Sequence, residues 1–353
     1  MRTRIKALLL AICMAFAFLL PSCKGMNNEQ VQNPKDSDKI KIGMSFDSFI
    51  IERWQRDRDV FVSAAKELGA EVNVQNANGS LEEQKKQIKY FIDEGMDVIV
   101  IIAIDGFNLS EEVALAKEKG IKVIAYDRLI CNADVDLYIS FNNVRVGELM
   151  GQALVDSGKL KKKKVLMLGG SEDDNNVYLV EAGFKQVMDD NNITVVDTMH
   201  CAGWRAEIAA SYVRKNQTTV KSVDAIMCGN DNLASAVVPV LAEMRLAGDM
   251  LVTGQDADLE ACQRIVEGTQ LMTVYKPVER LAQKAAECAI KLAKDETLEK
   301  EPDYSLMDDG TYDVPCIALE PIMVTEDNID EIIIGSGFHL KEDVYLNVPG
   351  QSD

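Results

Sequence analysis

Short apolar runs alternate with helical periods along most of the chain. Residues 40–45 form an apolar run of strand length, and residues 54–68 then place their apolar side chains at helical spacing. Gly69 follows, where a residue free to turn left-handed closes a helix. The same junction recurs in Leu68-Gly69-Ala70-Glu71-Val72-Asn73-Val74, Glu94-Gly95-Met96-Asp97-Val98-Ile99-Val100 and Lys119-Gly120-Ile121-Lys122-Val123-Ile124-Ala125. These glycines lie 26 and 25 residues apart, the length of one strand-and-helix unit with short loops. Ser80 and Glu83 have the S-x-x-E spacing that starts the helix leading to Gly95.

The second half repeats the plan. Strands are predicted at 164–168, 193–196, 225–228, 251–254 and 272–275, and helices between them include 232–244 and 277–294, with Pro277 in a favoured first-turn position. Runs of near-continuous Val and Ile are buried on both faces, which predicts parallel sheets with helices on each side. The fold class is therefore α/β, with two doubly wound parallel-sheet lobes. A length of 353 residues with 47% hydrophobic content suffices for two such cores.

Charge narrows the function. The chain carries 38 Lys and Arg against 57 Asp and Glu, a formal charge of −19 that repels phosphate backbones, so no nucleic acid is expected as a partner. Only two histidines occur, His200 and His339, which leaves little room for Ser-His-Asp catalysis or multi-histidine zinc sites. No metal, no cofactor and no enzymatic activity are expected.

The N-terminus looks like an address. Arg2, Arg4 and Lys6 precede an apolar run over residues 7–20, too short to span a bilayer but suited to a signal peptide. Leu20-Pro21-Ser22-Cys23 resembles the bacterial lipobox, which implies a lipoprotein signal peptide over 1–22 and lipidation of Cys23. Residues 23–38 are then a lipid-anchored, polar tether, and the protein is extracytoplasmic. Six cysteines remain beyond it: Cys131, Cys201, Cys228, Cys262, Cys288 and Cys316. Their wide spacing and apolar surroundings predict buried free thiols.

Two parallel lobes imply a cleft, and ligands of open α/β sheets bind beyond the carboxyl ends of the strands. Residues in those places are Glu52, Arg53 and Trp54; Asp127 and Arg128; Asp173, Asp174, Asn175 and Asn176; Trp204; Asn230 and Asp231; Asp256; and Lys276. Planar Arg, Asp and Asn groups hydrogen-bond adjacent hydroxyls in pairs, while an indole face covers the C–H surface of a sugar ring. That mixture suits a neutral polyol. The Gly-x-x-x-x-Gly-Lys-Ser/Thr pattern of a phosphate cradle is absent, and Gly169-Gly170-Ser171 is read as a tight turn.

Several of these segments resemble a known family. Ile42-Gly43-Met44, Glu52-Arg53-Trp54-Gln55, Ala125-Tyr126-Asp127-Arg128, Tyr138-Ile139-Ser140-Phe141, Val146-Gly147-Glu148-Leu149, Asp174-Asn175-Asn176, Gly254-Gln255-Asp256-Ala257-Asp258 and Thr273-Val274-Tyr275-Lys276-Pro277 are similar to the D-xylose-binding proteins of bacterial ABC importers. These lie within the ribose- and galactose-binding group of periplasmic binding proteins. The likeness runs from about residue 39 to about residue 337. Asn142 and Ala202 stand where the pattern has Asp.

The resemblance implies a type I periplasmic-binding-protein fold whose multi-crossover hinge passes near 141–144, near 276–277 and within 312–322. One lobe is then 39–143 plus 277–315 and the other 144–276 plus 316–353. Sugar contacts carried over from the family fall on Arg53, Asp127, Arg128, Asp174, Asn176, Asn230, Asp256 and Lys276, with Trp54 and Trp204 as stacking aromatics. The implied ligand is a monosaccharide, D-xylose first, with ribose, glucose and galactose as alternatives. Implied partners are an ABC importer permease with its ATPase, or alternatively a chemoreceptor or histidine-kinase sensor, and the protein is expected to be a monomer. A glycosidase built on Asp127 and Asp174 is the weakest reading, because the interleaved Arg128 and Asn176 are suited to grip.

Overall fold

The computed structural model describes residues 39–350; the expected signal peptide, Cys23 and the expected tether lie outside the described residues. The chain forms two sheets. The first contains β1 (Lys41–Phe46), β2 (Glu71–Asn76), β3 (Val98–Ile101), β4 (Lys122–Tyr126), β5 (Leu137–Phe141), β11 (Tyr304–Asp308) and β12 (Asp313–Leu319), in the order β11-β12-β5-β4-β3-β1-β2. The second contains β6 (Lys164–Gly169), β7 (Thr194–His200), β8 (Ala225–Cys228), β9 (Leu251–Gln255), β10 (Met272–Tyr275) and β13 (Ile322–Val324), in the order β13-β10-β9-β8-β6-β7. The interior strands are parallel, as their unbroken apolar runs require. The edges depart from an all-parallel plan, because β11 pairs antiparallel with β12 and β13 antiparallel with β10.

Helices cover both faces of each sheet. In the first lobe α1 (Arg53–Glu67) and α10 (Val278–Ala293) bury Phe61, Ala65, Leu281 and Ala285 on one face. On the other, α2 (Leu81–Asp93) and α3 (Ser110–Glu118) bury Ile88, Phe91, Val113 and Ala116. In the second lobe α4 (Asn143–Asp156) and α5 (Asn175–Asp190) cover one face, while α6 (Ala206–Lys215) and α8 (Asp231–Glu243) cover the other. The short α7 (Gln217–Ser222) and α9 (Leu259–Val266) complete that lobe, and α11 (Lys341–Val344) lies in the C-terminal segment packed against it. Local chemistry sets the ends. The Ser80 hydroxyl accepts the Glu83 N–H at 3.3 Å, and Gly69, Gly95 and Gly120 stop their helices at φ 89°, 65° and 76°.

Three passages join the lobes. The first is at Asn142, whose side chain caps α4 through the Arg145 N–H at 3.1 Å, and the second is at Lys276-Pro277. The third lies at Glu320-Pro321, between β12 and β13. This moves the lobe border past residue 315, where the sequence put it, because β12 stays paired with β5 as far as Leu319 opposite Phe141.

All six cysteines among the described residues are buried and unpaired. Burial pushes the Cys131 and Cys201 thiols up to about 11 and Cys288 up to about 12, so none of these is a ready nucleophile.

Helices α4 and α5 meet backbone to backbone. A Cβ added at Gly147 would come within 1.8 Å of the Val180 carbonyl oxygen, and one at Gly183 within 2.0 Å of the Val144 carbonyl oxygen. Gly147→Ala is therefore expected to destabilise the second lobe by about 1–3 kcal/mol through forced separation of the two helices. Denaturant unfolding of the purified variant measures this, and an unchanged midpoint would contradict it.

Candidate functional site

All ten site residues named from the sequence line one cavity between the lobes, enclosing about 490 Å³ together with its mouth. Each is buried, from 2% exposed at Trp54 and Asn230 to 8% at Asn176 and Trp204. Every one sits beyond a strand's carboxyl end. Arg53 and Trp54 open α1 after β1, Asp127 and Arg128 follow β4, and Asp174 and Asn176 start α5 after β6. Trp204 ends a single 3₁₀ turn after β7, Asn230 precedes α8 after β8, and Asp256 and Lys276 follow β9 and β10.

Backbone strain is concentrated here. Asp127, Trp204 and Asp256 have φ values of 63°, 57° and 100°, a region that favours glycine, so surrounding bonds must hold them. The Asp127 N–H donates to the Ile139 carbonyl at 2.7 Å, and its own carbonyl accepts from the Ser140 hydroxyl at 2.7 Å and Asn176 Nδ2 at 2.9 Å.

Each arginine is held by acids of its own lobe. Arg53 donates from Nε and Nη2 to both oxygens of Asp57 at 3.1 Å, and Nη1 lies 2.9 Å from Asp127 Oδ2. The Tyr126 hydroxyl donates to Asp57 from behind. Arg128 Nη1 donates to Asp47 Oδ2 at 2.8 Å and to the Ala103 carbonyl at 2.9 Å. Its Nε then reaches across the cleft to Asp174 Oδ2 at 2.9 Å. Lys276 Nζ lies 2.7 Å from Asp256 Oδ1.

Burial and pairing pull these groups in opposite directions. Burial alone would raise Asp127, but Arg53, Lys276 and Arg128 outweigh it and hold its carboxyl below the usual range. Asp47, Asp57 and Asp174 are pushed up by burial despite their arginine partners. Burial also works against the charge on Arg53, yet Asp127 and Asp57 hold the guanidinium well above its ordinary value. Around the cavity three cations, Arg53, Arg128 and Lys276, face three aspartates, Asp127, Asp174 and Asp256. Glu181 also lines it, and Lys185 Nζ at 2.8 Å offsets that charge.

Apolar surface completes the lining. The Arg53 guanidinium carbon lies 4.6 Å from the Trp54 ring centroid and that of Arg128 5.6 Å, so the indole is flanked by cations. Trp204 donates from Nε1 to Asp174 Oδ2 at 3.2 Å, and its ring lies where a Cβ at Gly170 would sit, 2.3 Å from the nearest ring carbon. Gly170 is required by that contact. Asp174 works twice, since Oδ1 also caps α5 through the Asn176 N–H at 3.0 Å.

Sequence reading missed two sets of residues. Asn143 and Gln255 also line the cavity; Asn143 donates to Asn176 Oδ1 at 2.9 Å and Gln255 to the Gly229 carbonyl at 2.5 Å. Gln255 immediately precedes Asp256, and only its neighbour was selected. Asp47, Asp57 and Tyr126 stand behind the lining, and the one signal available was the four-residue spacing of Arg53 and Asp57 on a helix. Trp54 Nε1 and Gln255 Oε1 are buried with no hydrogen-bond partner in the chain. With the paired charges, these two atoms give a cavity that can bind uncharged hydroxyls from several sides.

These features define a two-lobe solute-binding protein, and the profile of the periplasmic binding protein domain matches residues 42–297: the chain belongs to that family. Among curated relatives, the D-xylose-binding periplasmic protein of Haemophilus influenzae is 43% identical over 314 residues, covering 88% of this chain and 93% of that one. The D-xylose-binding periplasmic protein of Escherichia coli is 43% identical over 312 residues, covering 87% and 93%. A solved ABC transporter solute-binding protein from Clostridium phytofermentans with bound β-D-glucose is 27% identical, with a TM-score of 0.77 over 86% of this chain and 99% of that one.

Asp57 has no exposed surface, so removing it leaves Arg53 Nε and Nη2 buried without their acceptor, with only Nη1 still paired to Asp127. Asp57→Ala is expected to lower the stability of the ligand-free protein by about 3–5 kcal/mol. Tyr126→Phe, which removes one bond to that carboxylate, is expected to lower it by about 1.5 kcal/mol. Urea denaturation measures both, and equal losses would contradict the role given to Asp57.

Proposed function

We propose that this protein is an extracytoplasmic lipoprotein, anchored through Cys23, that captures D-xylose between its lobes and delivers it to an ABC importer. The observation that carries the reading is a charge-balanced cavity whose ten predicted polar and aromatic residues converge from both lobes. The 43% identity to two D-xylose-binding proteins supports the choice of sugar. In this reading Arg53, Asp127, Arg128, Asp174, Asn176, Asn230, Asp256 and Lys276 bond the ring hydroxyls, and Trp54 and Trp204 cover the ring faces.

The mechanism follows from where those groups are fixed. Arg53, Asp127 and Arg128 belong to the first lobe, and Asp174, Asn176, Asn230 and Asp256 to the second. A sugar touching only one set leaves half of its hydroxyls to water. Closure completes the set and makes the closed form the more favourable one, and the closed shape is what a permease reads. Balanced charge selects against sugar acids, since an added carboxylate enters a site with no uncompensated cation. Epimers are rejected because a misplaced hydroxyl leaves buried donors and acceptors unpaired.

Calorimetric titration of the purified protein with xylose, ribose, arabinose, glucose, galactose and xylonate tests this. Xylose is expected to bind with micromolar or tighter affinity, roughly −8 kcal/mol, and xylonate not measurably. Asp256→Asn is expected to weaken xylose binding by about 100-fold, equivalent to about 2.7 kcal/mol. Preference for xylonate, or parental affinity in that variant, would overturn the reading.

A further inference from the structure

Asp256 reaches the cavity on a turn that does not hold itself. It and Ala257 are consecutive non-glycine residues in the left-handed region, at φ 100° and 55°. Such residues are strained and persist only where neighbours over-determine them. The Asp256 N–H donates to the Val274 carbonyl at 2.9 Å and His339 Nε2 lies 2.8 Å from the Ala257 carbonyl, while the remaining restraints lead to one buried carboxylate. The Ala257 N–H donates to Thr273 Oγ1 at 3.1 Å, and the Thr273 hydroxyl donates to Asp231 Oδ2 at 2.6 Å. The Asp258 N–H donates to the same Oδ2 at 3.2 Å, and Gln270 Nε2 donates to Asp231 Oδ1 at 2.8 Å. The C-terminal side of the turn, at Ala257 and Asp258, is thus tied to Asp231, which has no exposed surface and does not line the cavity. Gly254 makes room for it, since a Cβ there would lie 2.1 Å from Asp231 Oδ1.

We propose that Asp231 is a positioning residue for ligand capture, holding the turn that carries Asp256 through its ionised carboxylate, and that sugar affinity falls when this carboxylate takes up a proton. The inference rests on the reading of the cavity as a saccharide site. Its chemistry is a matter of donors and acceptors. Asp258 N–H, the Thr273 hydroxyl and Gln270 Nε2 all donate to Asp231, and a carboxylate accepts all three. A neutral carboxyl accepts more weakly and must place a proton of its own within a shell of donors, which weakens those bonds. Loosening the Thr273 or Asp258 bond releases the strained turn, and Asp256 with it.

The surroundings make this titration accessible. Burial raises the Asp231 carboxyl to about 7, against the Thr273 bond and Arg264, with Asp256 pushing it further up. The charged and titratable groups around it are Asp256 and Asp258 before α9, Cys262 and Arg264 on α9, and Cys228 at the end of β8; Glu52 of the first lobe acts through Asp258. The raised carboxyl is ionised above about 7, so affinity is full there and lost as pH falls through that value. Linkage requires the converse, that bound sugar lowers the Asp231 pKa.

The test is xylose affinity by calorimetry between pH 5.5 and 8.5 for the parent and Asp231→Asn, with a carboxyl-carbon NMR titration of the ligand-free parent. Parent affinity should fall about tenfold from pH 8 to pH 6, with the neighbouring buried carboxyls of Asp231 and Asp258 titrating above the ordinary carboxylate range. Asp231→Asn should bind about tenfold more weakly at pH 8 and lose the pH dependence. A flat parent profile, or a variant that keeps parental affinity and slope, overturns the inference. If the variant does not fold, the parent profile and the NMR titration decide. A parent that binds no sugar at pH 8 overturns the saccharide reading and this inference together, whereas bound sugar with a flat profile overturns this inference alone.

Discussion

Arg53, Arg128 and Lys276 must stay charged where water is nearly excluded, and the junction of the lobes is organised by that need. Taking such a charge out of water costs several kcal/mol unless acids and carbonyls replace the hydration shell. Asp57 and Asp127 do so for Arg53, Asp47 and Ala103 for Arg128, and Asp256 for Lys276. Asp57 and Asp47 belong to the first lobe, like the arginines they hold, so both guanidiniums are aimed before the lobes come together. This preorganisation is what a sugar site needs, since a hydroxyl gains little from a donor that must first be ordered.

Arg128 also meets Asp174 across the cleft, and it is not alone. The Gly106 N–H donates to the Asp173 carbonyl at 2.9 Å, and the Tyr138 hydroxyl to Asn176 Oδ1 at 3.0 Å. Arg56 of the first lobe donates to the Phe338 carbonyl at 3.0 Å and lies 4.0 Å from that ring's centroid. These contacts are made by the protein itself. On the proposed reading a bound sugar would therefore supply only part of the free energy of closure, and its affinity would be set by the difference between open and closed forms.

The repeating glycine junctions, the central strands and the ten cavity residues were legible because each rests on a local rule: helix closure, apolar runs, and the position of residues beyond strand ends. Antiparallel β11 and β13 were not, since exposed edge strands such as Tyr304–Asp308 carry no unbroken apolar run. The third crossing falls within the expected 312–322, but the lobe border drawn at 315 fell short of it, because pairing of β12 with β5 joins residues far apart in the chain. Asp57 and Asp47 escaped, and Asp231 was placed beyond a strand end without its supporting role, because a buried carboxylate that supports a site has the same local sequence as one that faces water. Their roles come from partners such as Tyr126, Arg128 and Thr273, which only the folded chain brings near.

The three passages at Asn142, Lys276-Pro277 and Glu320-Pro321 run side by side between the same two bodies. A single tether would let one body spin about it; three cannot wind independently, so what survives is bending about a common axis. Pro277, at φ −69°, and Pro321 stiffen two of the three. Opening on the proposed reading would thus be motion along one coordinate, like a door on several pins, with the two halves of the cavity returning to the same alignment each time.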